Sequence, residues 1–156
     1  MKCHAAATEH LRASDPVLNA VIDRVGPITL RPQRNRFWIL VRSIVSQQIS
    51  TQAAKTISAR LEAMVTEPTA AALQAVRPAK LRAAGVSPQK ARYLADLCAA
   101  VIEGRVDFAR MARASDEDIV DQLVQVKGIG RWTAEMFLIF ALGRPDVLPA
   151  ADLGLR

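Results

Sequence analysis

The stretch Leu123–Glu135, LVQVKGIGRWTAE, holds the residues whose types and spacing are best suited to chemistry. A helical pattern runs to Val126, Lys127-Gly128-Ile129-Gly130-Arg131 interrupts it, and a second helical pattern follows. Two glycines around one aliphatic residue permit a turn tight enough to expose consecutive backbone N–H groups. The second glycine also opens a helix whose first N–H groups lack partners. Turn and helix start together suit an anion, and would grip a phosphate without reading a base. Ile129 is expected to plug the space between the two helices. Lys127 and Arg131 add charge, and Thr133 follows in the first turn of the second helix. The same string also suits a purely structural turn, and Gly-x-Gly alone does not separate the two.

Other side chains have plain readings when taken by themselves. Asp152 precedes LGLR and reads as a helix N-cap. Asp146 falls in the Gly143-Arg144-Pro145 turn. Trp132 reads as core. Gln48 continues the apolar stripe Phe37–Val41–Ile44/Val45 but is polar, next to Gln47 and Ser50 at a helix end. By itself it reads as a buried glutamine closing that helix. His4 and His10 lie in an N-terminal segment expected to be loose and solvated. Cys98 falls on an apolar stripe. Cys3 and Cys98 are the only cysteines, too few for a disulfide framework or a four-cysteine metal or iron–sulfur site.

The elements that must position these residues are helical throughout. Ala and Leu dominate, and β-branched alternation between regular turns is missing. Apolar residues recur at three- and four-residue steps in Phe37–Gln48, Ala54–Val65 and Leu94–Ile102. Breaks fall at Gly26-Pro27, Glu67-Pro68, Arg77-Pro78, Gly85 with Ser87-Pro88, Gly104, and Gly143 with Pro145. Ser87-Pro88 reads as an N-cap followed by proline at the first helical position. Ser115 with Asp116, Glu117 and Asp118 reads as a capped, acid-rich first turn rather than a metal site. About eight to ten short helices result. Trp132–Leu142, WTAEMFLIFAL, is apolar nearly all round and predicts a central buried helix.

Composition sets the outer bounds. The chain has 156 residues, 51% hydrophobic and 23% charged, which excludes disorder and fits one domain or two small lobes. No apolar run approaches the roughly 20 residues a bilayer span needs, and the first residues lack a secretory apolar core. A reducing cytoplasm is the expected setting, at the nucleoid if the source is bacterial. The net charge of +6 is unevenly placed. Arg24, Arg31, Arg34, Arg36, Arg42, Lys55 and Arg60 fall in a window without an acid, as do Arg77, Lys80, Arg82, Lys90 and Arg92. Such segregation suits a polyanion, and also suits a solvated arginine-rich face.

Beyond the hairpin, VKGIGRWTAEMFLIFALGRPDVLPAADLGLR, SIVSQQISTQAAKTI and GVSPQKARYLADL resemble, in order, the blocks of the helix-hairpin-helix DNA glycosylases, in the DNA-3-methyladenine glycosylase II branch. The resemblance runs from about Arg36 to Arg156. It implies an all-α fold of two helical lobes with a cleft, residues 1–35 supplying N-terminal helices and 36–156 the glycosylase region. It implies hydrolysis of the N-glycosidic bond of an alkylated base, such as 3-methyladenine, flipped out of double-stranded DNA.

In that family Asp152 would be the catalytic aspartate, Trp132 and Met136 would line the base pocket, and Gln48 would fill the hole in the stack. Lys127, Gly128, Ile129, Gly130, Arg131, Thr133 and Gln47 would join Gln48 in binding DNA. Carbonyls of Val124, Val126 and Ile129 match positions that hold a monovalent cation in relatives. No cofactor is implied, and the chain is expected to act as a monomer. Bifunctional glycosylase/lyases carry a nucleophilic lysine where Trp132 stands, so a monofunctional enzyme is implied. A non-catalytic DNA-binding module is the second reading, and a glycosylase/lyase the third. The sequence ends at Arg156, close after Asp152, where the family continues with further helices. The expectation is therefore an unfinished lobe and weak or no activity in this 156-residue chain.

Overall fold

The computed structural model describes residues 2–26 and 32–155, with side chains from Ala5 onward. The side chains of Cys3 and His4, and the residues Pro27, Arg31 and Arg156 named above, lie outside that description. Among the described residues all regular structure is helical. In chain order the helices are α1 (Lys2–Ser14), α2 (Pro16–Val25), α3 (Arg36–Ser46), α4 (Thr51–Glu62), α5 (Ala70–Gln74), α6 (Pro78–Ala84), α7 (Pro88–Ile102), α8 (Asp116–Val124) and α9 (Arg131–Phe137). A 3₁₀ turn at Arg110–Ala112 precedes α8, and α9 runs on into a π-helical turn at Leu138–Leu142. No helix of the described residues is long and apolar enough to cross a membrane.

The cap signals act as their residue types require. Ser87 Oγ accepts the Lys90 N–H at 3.2 Å, with Pro88 opening α7. Ser115 and Asp118 form a reciprocal capping box at the start of α8, so the acidic trio there serves the helix end. No group of three or more His, Cys, Asp or Glu among the described residues is placed to hold a metal.

The centre of the molecule is α3. Its residues Phe37, Trp38, Ile39, Leu40 and Val41 are all buried, as are Ile44 and Val45. It packs on α4, α7 and α9, while α7 also packs on α5 and α6. Trp132–Leu142 is therefore not the central buried helix that its composition predicts. Thr133, Ala134, Phe137, Leu138 and Ala141 are buried, but Trp132 and Phe140 are 44% and 46% exposed. The apolar residues on its outer side face a cleft, not a neighbouring helix. The helix expected to start at Asp152 is also absent, and residues 150–155 form turns instead. Helices α1 and α2 pack against one another.

Candidate active site and hairpin

The cleft lies between the start of α9 and the end of α3. Ser43, Ser46, Gln47 and Gln48 line one side, and Trp132, Thr133, Met136 and Phe140 the other, around about 490 Å³. Trp132, Met136 and Phe140 are spaced four residues apart, which stacks them on one helix face. The family resemblance places Trp132 and Met136 there. Phe140, Ser43 and Ser46 were not expected there, although the continued four-residue step is a legible signal for Phe140. The π-helical turn at Leu138–Leu142 widens the backbone where Phe140 projects.

Asp152 reaches this cleft through Trp132. The indole Nε1–H donates to Asp152 Oδ2 at 2.7 Å, and the Gly154 N–H donates to Oδ1 at 2.7 Å. The carboxylate is thus held at both oxygens, twenty residues along the chain from its indole partner. The bond to Gly154 is the local turn contact favoured by aspartate, made without a helix to cap. Asp146 is exposed, in the turn before it.

The two glutamines have separate roles. Gln47 closes α3, and its Nε2 donates to the Gly128 carbonyl at 2.7 Å, tying this turn to the hairpin. Gln48 is exposed and is the one described non-glycine residue at positive φ, +57°. It is therefore not a buried glutamine closing the helix. A left-handed conformation costs an L-residue about 1 kcal/mol. Ser50 Oγ then caps α4 through the Ala53 N–H.

The hairpin joins α8 to α9. Val126 and Ile129 are buried, so Ile129 does plug the space between the helices. Gly128 has φ +84°, and a Cβ there would lie 2.2 Å from the Tyr93 ring. Gly130 has an ordinary φ of −94°, and a Cβ there would meet nothing within 4 Å. Two N–H groups of the turn itself are already used inside the protein. The Lys127 N–H donates to Asp96 Oδ2 at 2.7 Å and the Ile129 N–H to the Val126 carbonyl at 3.0 Å. Gly130 opens α9 without a side-chain cap, which leaves the first N–H groups of that helix open.

The charges divide in the same way. Lys127 is exposed, with no acidic partner among the described residues. Arg131 is paired with Glu117 at 2.6 Å and Glu135 at 3.1 Å. That pairing raises the Arg131 pKa and, through its hydrogen bonds to the guanidinium, lowers that of Glu117. Arg131 therefore adds no free charge in this state. Thr133 is 5% exposed, so it offers little surface to a ligand at the helix start. Oxygen-only donors such as the carbonyls of Val124, Val126 and Ile129 suit a monovalent cation. Val124 ends α8, and Val126 O already accepts one hydrogen bond.

Not all of the acid-free windows faces solvent. Arg36 donates to the Phe108 carbonyl, Arg60 to the Ala84 carbonyl, and Lys90 to the carbonyls of Val45 and Gln47. Arg42 pairs with Glu62 at 2.6 Å, and Glu62 also accepts from the Trp38 indole. Hydrogen bonding from Arg42 holds the Glu62 carboxyl below its ordinary range. Burial pushes the Cys98 thiol up to about 11, so it stays protonated and inert.

Comparison with known proteins follows the same lines. Residues 41–156 match the family model described as HhH-GPD superfamily base excision DNA repair protein. The chain belongs to that superfamily. It is 35% identical over 156 residues to DNA-3-methyladenine glycosylase 1 of Schizosaccharomyces pombe, covering 94% of this chain and 68% of that protein. It superposes with a TM-score of 0.84 on the DNA-3-methyladenine glycosidase of Bacillus halodurans, at 41% identity over 93% of this chain and 68% of that one. The S. pombe 3-methyladenine DNA glycosylase in complex with abasic DNA gives 0.85 at 34% identity, over 97% of this chain and 77% of that one.

Proposed function

We propose that the chain is a monofunctional DNA glycosylase that acts as a monomer on double-stranded DNA. It would hydrolyse the N-glycosidic bond of alkylated bases such as 3-methyladenine and leave an abasic site. The observation that carries this reading is the Trp132–Asp152 hydrogen bond of 2.7 Å beside the cleft. It joins a π-face and a fixed carboxylate at the wall where the end of α3 meets the start of α9.

The residues divide the work as follows. The hairpin grips a phosphate through the open N–H groups around Gly130, with Lys127 adding charge. The carbonyls of Val124, Val126 and Ile129 would hold a monovalent cation, which would supply positive charge for binding the DNA backbone. Gln48 enters the stack as the nucleotide swings out, its amide offering hydrogen bonds to the base left behind. The extruded base lies against Trp132, Met136 and Phe140, and the indole face favours a ring already carrying positive charge.

Such a base leaves C1′ with the bonding electron pair, and the sugar becomes oxocarbenium-like. The Asp152 carboxylate stabilises that charge and orients the water that adds to C1′, accepting its proton. Trp132 offers no amine for a Schiff base, so the strand is not cut. Incubation with methylated duplex should release free base, leave the strand intact until alkali is added, and trap no protein–DNA adduct with borohydride. A trapped adduct and alkali-independent cleavage would establish a lyase instead, and binding without release a DNA-binding module.

A further inference from the structure

Lys90 belongs by sequence to an acid-free window, yet its ammonium points inward. Nζ donates to the Val45 carbonyl at 2.6 Å and to the Gln47 carbonyl at 2.7 Å. Those oxygens flank the end of α3, where the helix carbonyls lack intrahelical partners and carry partial negative charge. Gln47 is tied from its side chain as well, to Gly128. The next residue is Gln48, in the left-handed region. Farther along the same side of α7, Tyr93 packs against Gly128 and Asp96 accepts the Lys127 N–H. One helix face thus backs both loops.

We propose that Lys90 is a positioning residue for Gln48: its ammonium fixes the carbonyls of Val45 and Gln47, and so locks the left-handed turn that directs Gln48 outward. The inference rests on the reading of Gln48 as the group that fills the opened stack. An ammonium suits the task, since it offers three donors and no acceptor to two carbonyls on one side. Methionine at this position would occupy similar space and leave both carbonyls unpaired. Arginine would keep the charge, but its planar fork donates in fixed directions that two converging carbonyls do not match. Without the restraint, a glutamine at positive φ relaxes toward the commoner backbone regions.

The competing role is a phosphate contact, and salt dependence separates the two. An ammonium that neutralises a phosphate contributes about one unit to the slope of log K against log salt, whereas an internal one contributes nothing. The test uses the protein in its longest available form as wild type, Lys90→Met, Lys90→Arg, Gln48→Ala and the Lys90→Met/Gln48→Ala double variant. The DNA is an alkylated duplex with 2-aminopurine beside the lesion, whose emission reports stack opening.

Lys90→Met should keep the salt slope and lose about 10- to 100-fold in stack opening and in base release at saturating DNA. The double variant should be no worse than Gln48→Ala, because both changes disable one device. Lys90→Arg should keep the helical circular dichroism and salt slope yet fall short in opening, which serves as the reading if Lys90→Met fails to fold. A reduced slope with normal opening in either variant would overturn the proposal, as would additive losses in the double variant. A wild type that neither opens the stack nor releases base refutes the functional reading and this inference together. A wild type that does both, beside an unchanged Lys90→Met, refutes only the role of Lys90.

Discussion

The hairpin at Lys127–Arg131 and the turn at Gln47–Gln48 are joined by the Gln47–Gly128 hydrogen bond, and both contain a residue at positive φ. In the hairpin that residue is Gly128, which has no Cβ to strain and presses its bare Cα against Tyr93. In the turn it is Gln48, at φ +57° with a full side chain. In the proposed function the hairpin presents backbone N–H groups to a phosphate, and glycine at 128 relieves the conformation and leaves room for Tyr93. The turn presents an amide side chain, so glycine would remove the working group. The strain is retained there and held in place by Gln47 and Lys90. In the proposed function, a strained non-glycine residue beside a glycine-built turn marks where a side chain is used and where only backbone is.

The two glycines of the hairpin offer the largest contrast. Gly128→Val places a branched Cβ against the Tyr93 ring at an unfavourable φ, and should destabilise the fold by on the order of 3 kcal/mol in chemical unfolding. Gly130→Ser meets no clash and supplies the missing N-cap oxygen, so stability should rise by a few tenths of a kcal/mol. Its hydroxyl would occupy the open N–H groups of α9, and affinity for duplexes of any sequence should fall equally. A sequence-dependent loss would contradict the assignment of the hairpin to phosphate. At the turn the expected effect on stability lies between those two. Gln48→Gly should gain about 1 kcal/mol of stability from relief of the left-handed conformation. It should also lose the stack opening reported by 2-aminopurine. Loss of stability in that variant would mean that Gln48 packs rather than projects.

The sequence exposes much of this arrangement where one residue type has one physical use. Ser87-Pro88 and Ser115 with Asp118 mark helix starts because their oxygens reach the N–H groups two or three residues on. Gly128-Ile129-Gly130 marks the hairpin because a buried aliphatic residue between glycines has few alternatives. Other features leave no trace in residue types. The cations of Arg36, Arg60 and Lys90 end on backbone carbonyls, which every residue possesses, so the basic windows look freer than they are. Arg131 is neutralised by Glu117, fourteen residues away and chosen only by the fold. Apolar patterning cannot separate a helix buried on all sides from one with a stripe facing a pocket. That is why Trp132–Leu142 looked more central than α3. The pairing of Trp132 with Asp152 follows from tertiary structure, and only the family resemblance pointed to Asp152.

The central claim is that the carboxylate held by Trp132 performs the chemistry, while the hairpin and the turn only hold and open the DNA. Single-turnover base release from an alkylated duplex, with affinity for the same duplex measured in parallel, tests it for wild type and Asp152→Asn. The account predicts release reduced to background and DNA affinity retained. Equal release by the two proteins would contradict it.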